Sequence, residues 1–130
     1  MAIDVLTSAV ALAFRAACAS RGEAIAYSRG DRSVGVIAIR GRSEFQCEAA
    51  GEVRTEFTDA DWKVLAVDMI FPAVEAEGED PEIPALAIVP QKGDRIATAT
   101  ENFEVLAPAG AKVFSQRNGK MRIHSKQVST

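Results

Sequence analysis

The stretch KVFSQRNGKMRIHSKQV, residues 112–128, decides the kind of fold. Asn118 and Gly119 stand at its centre. Asn-Gly favours the type I′ turn, in which both central residues take positive φ and whose twist matches two antiparallel strands. The flanks Lys112–Gln116 and Lys120–Val128 therefore read as a hairpin across Arg117-Asn118-Gly119. In the second flank Met121 and Ile123 alternate with Lys120, Arg122, His124 and Lys126, the period of a strand with one buried face.

The same texture runs upstream. Pro90-Gln91-Lys92-Gly93-Asp94 has the residues of a tight turn. Arg95–Thr100 and Asn102–Ala107 read as a hairpin around Glu101. Ile83–Val89 is a strand, and Pro84 places it at an edge because proline donates nothing to a ladder. Asp61–Phe71 reads as one strand, with Leu65, Val67, Met69 and Phe71 on one face, Trp62 and Val64 on the other, and Pro72 as its stop. Glu52–Phe57 reads as a short strand, whereas Arg42–Gly51 fits no single element. In Ser33–Arg40, Val34, Val36, Ile37 and Ile39 are apolar on both faces, which predicts a strand covered on both sides. Ala24–Ser28 is the first strand, and Arg29-Gly30-Asp31 is its turn.

Only the N-terminal region has helical spacing. Over residues 4–20, Leu6, Val10, Ala13 and Ala17 recur on one face, widened by Ile3, Leu12 and Phe14. Asp4 can cap the first turn, and Gly22 suits a left-handed stop. The Ala-rich stripe is thin, so the helix must lean on something else. The predicted architecture is mainly β (α+β): an N-terminal helix followed by a small antiparallel β-barrel or sandwich. One domain spans 1–130, with the helix at 4–20, the β domain at 23–128 and an acidic loop at 72–83.

A chain of 130 residues, 48% hydrophobic and 25% charged, has the composition of a globular domain that buries its own core. Its net charge of −3 argues against a dedicated nucleic-acid binder. The two cysteines, Cys18 and Cys47, form no metal-ligand spacing and suit reduced thiols in a cytoplasmic setting. Ala16-Ala17-Cys18 superficially resembles a lipoprotein cleavage site. The preceding residues lack Lys or Arg in an n-region, and Arg15 interrupts the apolar run, so secretion is not expected. The apolar run is too short to span a membrane.

Candidate chemistry is sparse. The single histidine, His124, lies between Arg122 and Lys126 and reads as a surface strand residue. Asp59/Asp61 and Glu79/Asp80 lack the Gly-centred spacing of a calcium loop and read as solvated loop carboxylates. Cys18 and Cys47 have no local activating group. No phosphate-binding glycine loop or nucleophile elbow is present. Catalytic, cofactor-binding and metal residues are therefore expected to be none. Charge is the remaining signal. Arg117, Lys120, Arg122, His124 and Lys126 would make a basic stripe, facing a partner or DNA. Glu75, Glu77, Glu79, Asp80 and Glu82 surround Gly78 and Pro81 in an acidic loop suited to docking or gating. One patch of each sign fits a head-to-tail contact between subunits.

Three stretches resemble the small head–tail joining, or head-completion, proteins of long-tailed bacteriophages and prophages. They are Asp61-Trp62-Lys63-Val64-Leu65-Ala66-Val67-Asp68; Pro90-Gln91-Lys92-Gly93-Asp94-Arg95-Ile96 followed by Asn102-Phe103-Glu104-Val105-Leu106; and Met121-Arg122-Ile123-His124-Ser125-Lys126. The resemblance covers roughly the last half of the chain. It implies a non-enzymatic virion protein, assembled in the bacterial host cytoplasm as a ring of copies of itself. Such rings sit below the portal or adaptor of a DNA-filled head, close the channel against DNA loss and receive the tail or its terminator protein. Some are gated by loop movement. Contact with DNA in the channel would be non-specific, and no membrane is involved.

Two other readings compete. One is a small cytoplasmic β-barrel binding module for a protein or polar ligand, which would present a deep pocket. The other is an enzyme with a site between subunits, for which Asp59, Asp61, Asp68 and His124 are the candidate groups.

Overall fold

The computed structural model describes residues 5–42, 44–49, 52–57, 60–79, 81–107 and 111–128, with 5–8 and 44–57 described by backbone alone. Helix α1 (Val5–Arg21) runs directly into β1 (Gly22–Arg29). Then follow β2 (Arg32–Gly41), β3 (Glu44–Ala49), β4 (Glu52–Phe57), β5 (Ala60–Leu65), β6 (Ile70–Phe71), β7 (Leu86–Ala87), β8 (Arg95–Ala97), β9 (Asn102–Val105), β10 (Phe114–Arg117) and β11 (Lys120–Val128).

Six antiparallel strands close into a barrel, β11-β5-β2-β1-β8-β9, because the far end of β11 returns to pair with β9. Strand β10 adds to the near end of β11. Closure leaves the six strands without a long free edge. Tyr27, Trp62, Phe71, Phe103, Ile96, Ile123 and Val105 fill the interior and are fully buried. Trp62 meets Phe103 edge-on, with ring centroids 5.2 Å apart. Its indole N–H donates to Ser125 Oγ at 2.9 Å, and Ser125 passes a hydrogen bond to the Ala60 carbonyl, so the buried polar atoms are paired.

Arginines of β2 lie against the aromatic core at both ends of that strand. Arg40 lies 4.8 Å from the Trp62 ring and is ion-paired to Glu23 and Glu101. Arg32 lies 5.3 Å from the Phe71 ring and donates to the carbonyls of Pro72 and Pro84.

The helix packs outside the barrel, where Phe14 meets Ile39 and Leu65. Arg15 pairs with Asp68 at 3.3 Å and ties the helix to the chain leaving β5. Asp4 lies outside the described residues. Gly22 is not a left-handed stop; it has no positive φ. A Cβ there would sit 2.7 Å from the Cys18 carbonyl oxygen and 2.8 Å from Ile37 Cγ2. Glycine is needed for space where helix turns to strand.

Three other expectations are corrected. Asp61–Phe71 is not one strand. The ladder with β11 ends at Leu65, opposite Lys120; Ala66 makes one last backbone bond, to the Gly119 carbonyl, and the chain turns through a 3-10 segment, Ala66–Asp68. The turn shifts the face: Met69 and Phe71 join Trp62 and Val64 inside the barrel, while Val67 is left 61% exposed. Strand β2 is covered fully on its inner face only; outside, the helix reaches Ile39 but leaves Ile37 47% exposed. Within Ile83–Val89 only Leu86–Ala87 is a strand, with Ile83 in a separate bridge to Val74. The ambiguous stretch 42–51 contains β3, which pairs with β4.

The predicted hairpins are present. Asn118 and Gly119 have φ of 52° and 77° between β10 and β11, the double positive φ of the type I′ turn. The turn at 90–94 is fastened by Asp94. Its carboxylate accepts from the Gln91 amide at 3.0 Å, from Arg29 Nε at 2.8 Å and from the Tyr27 hydroxyl. Burial works to raise the Asp94 pKa, but these donors outweigh it and hold the carboxyl below its ordinary range. Burial, reinforced by that carboxylate, pushes the Tyr27 phenol far up.

Candidate functional site

The two charge patches are built by different devices. Sheet register builds the basic one. On β11, Lys120 and Arg122 point outward, and β10 brings Arg117 opposite Lys120 and Ser115 opposite Arg122. On the other side β5 sets Lys63 directly opposite Arg122. Lys63, Ser115, Arg117, Lys120 and Arg122 line an open depression of about 330 Å³. None of its four cations forms an ion pair among the described residues. Burial, together with the fields of Arg122, Lys120 and Arg21, lowers the Lys63 pKa.

The expected stripe is thus shorter and broader than the sequence suggested. His124 is not a surface residue. It is 7% exposed, and its Nδ1 lies 2.9 Å from Asp61 Oδ1, on the residue opposite it in the ladder. Lys126 is exposed but stands opposite Glu104 on β9, away from the cluster. Lys63 was missed because it sits inside the apolar stretch DWKVL. Only the ladder register, which sequence did not supply, puts it beside Arg122.

The acidic loop is an arm. The pairs Ile70/Ala87, Phe71/Leu86 and Val74/Ile83 all lie on one antiparallel register. Residues 70–79 and 81–87 therefore form two antiparallel limbs tied at these three pairs, with Gly78 at φ 58° in the turn. Glu75, Glu77, Glu79 and Glu82 are exposed along its outer part; Asp80 lies outside the described residues.

Of the groups considered for an intersubunit enzyme, Asp61 and His124 meet inside the sheet. Asp68 is paired to Arg15, and Asp59 lies outside the described residues. Burial raises the Cys18 thiol pKa, opposite to the shift that makes a reactive thiolate. Of the Cys47 side chain nothing is described. Among the described residues no group of three or more His, Cys, Asp or Glu could hold a metal ion. Among the described residues no helix is long and apolar enough to cross a membrane.

The site is therefore an arrangement of surfaces: a basic depression beside the helix and an acid-tipped arm rooted at the Arg32 end of β2. No curated protein matches the chain. A family model described as phage head-tail joining protein matches residues 3–130. Because that match runs over nearly the whole chain, far beyond the three stretches that first suggested it, the protein belongs to the phage head-tail joining protein family.

Proposed function

We propose that this protein is a non-enzymatic ring subunit that joins the portal or adaptor of a DNA-filled head to the tail and closes the DNA channel. The observation that carries the reading is the family match over residues 3–130. Membership implies a place in the virion and contact with head and tail components. The closed barrel supports it, since such a scaffold holds surface patches at fixed positions. Oppositely charged patches on one subunit suit a heterologous contact, which closes into a ring when the rotation allows. The chain acts as one domain, 1–130, and is assembled in the host cytoplasm. The basic depression at Lys63, Arg117, Lys120 and Arg122 and the arm carrying Glu75, Glu77, Glu79 and Glu82 are its docking surfaces. Contact with DNA in the channel is non-specific, through phosphates.

A cytoplasmic β-barrel binding module is the weaker reading. Among the described residues, the depressions beside the helix and on the outer sheet are open, unlike the deep pocket that such a module would present. Affinity capture of the tagged protein from its source cells, read by mass spectrometry, tests the assignment. Recovery of portal, capsid or tail proteins is expected. Recovery of metabolic proteins, or of a co-purifying small molecule alone, would replace the virion reading with the binding module.

A further inference from the structure

The arm at 70–87 carries apolar side chains that the acidic composition of its tip conceals. On this arm Ile70 is paired with Ala87, and Val74 with Ile83. These four are apolar and exposed, as are Pro72, Ala76, Pro81 and Ala85 along the same arm. The glutamates Glu75 and Glu82 are exposed among them. An arm with this many exposed apolar side chains is a surface made to be covered.

A second surface on the same chain has the matching chemistry. Between α1 and the barrel runs an open groove of about 310 Å³, lined by Val10, Ala13, Ala17 and Ile39. Arg21, Lys63 and Lys120 line it as well, and the two lysines also line the basic depression described above. The groove combines apolar side chains with three cations. The arm combines exposed apolar side chains with glutamates.

The chain does not satisfy itself. Arg32 fixes the arm root through the carbonyls of Phe71, Pro72 and Pro84. Ile39, paired with Lys63, marks the groove. Seven residues of extended strand separate Arg32 from Ile39, roughly 23 Å, and the arm residues 72–79 and 81–87 are exposed. We propose that the arm of one copy lies in the α1 groove of the next, its apolar side chains on Val10, Ala13 and Ile39 and its glutamates against Lys63, Lys120 and Arg122. This rests on the ring reading and specifies the contact between neighbours. It is a heterologous contact of the kind that propagates around a ring, and it gives the unpaired lysines their counter-charges.

The test places a photo-crosslinking benzophenone amino acid at Val74 of the full chain, in assembled particles, and maps the crosslinked peptides. The expected product joins Val74 of one copy to residues 10–21 or 115–122 of another. Charge reversal gives the second readout. Glu75→Lys with Glu82→Lys should weaken incorporation by about tenfold or more, as should Lys63→Glu with Lys120→Glu, and the four changes together should restore it. Particles that hold many copies but crosslink Val74 only to portal or tail protein, or form no product between copies, overturn the arm-in-groove contact and leave the ring standing. Particles that hold a single copy overturn the ring itself, and this contact with it.

Discussion

Arg122 stands directly opposite Lys63 in the ladder between β11 and β5, two cations facing each other across an antiparallel pair. Like charges so placed destabilise a sheet, by roughly 0.2–1 kcal/mol. Lys63→Gln should therefore raise stability by a few tenths of a kcal/mol, within that range, in chemical denaturation, while reducing incorporation into particles. A variant that loses stability would mean that the lysine stem, not its charge, matters at this position.

The same relationship predicts a pH response. Burial and the neighbouring cations lower the Lys63 pKa in the folded protein. Between that value and the ordinary one the unfolded chain binds more protons, so stability rises with pH there. The penalty is in full force below the folded value and is gone above the ordinary lysine pKa. Stability of the wild type measured from neutral pH toward pH about 10 should gain a component that Lys63→Gln lacks; parallel profiles would contradict this.

Asp94 behaves in the opposite sense. Its carboxylate is almost fully buried and holds Arg29, Tyr27 and the Gln91 amide. Asp94→Ala should cost about 2–4 kcal/mol by leaving these donors without their acceptor. The folded pKa is depressed, so its contribution is present above the ordinary aspartate value and lost as pH falls through the folded one. Acid titration of Asp94→Asn should show a smaller loss of stability below about pH 4 than the wild type.

Gly22 is a steric prediction. Its missing Cβ would lie 2.7 Å from the Cys18 carbonyl oxygen, a backbone atom that cannot swing aside. Gly22→Ala should cost about 1–3 kcal/mol. Gly30→Ala, in an open turn at positive φ, should cost only about 1–2 kcal/mol of backbone strain. Thermal unfolding of the two variants separates crowding from conformation.

Much of the fold was legible because turns announce themselves. Asn118-Gly119 fixed one hairpin, the 90–94 residues marked a tight turn, and the alternation of Met121 and Ile123 set the inner face of β11. What was not legible depended on partners distant in sequence. The break after Leu65 follows from where β11 begins, fifty-five residues later. His124 is buried beside its ladder partner Asp61, and a single strand's alternation does not say which neighbour waits on its polar face. Lys63 was hidden in an apolar run for the same reason. The acidic loop read correctly as polar and exposed, yet its apolar side chains came together only once Ile70 was seen paired with Ala87 and Val74 with Ile83.

The central claim is that this protein joins heads to tails. Removing its gene from the phage or prophage that encodes it, and adding purified protein back to the lysate, tests that claim most directly. The account predicts separate DNA-filled heads and free tails in the deletion, and infectious joined particles after addition. Joined, infectious particles in the deletion without any added protein would contradict it.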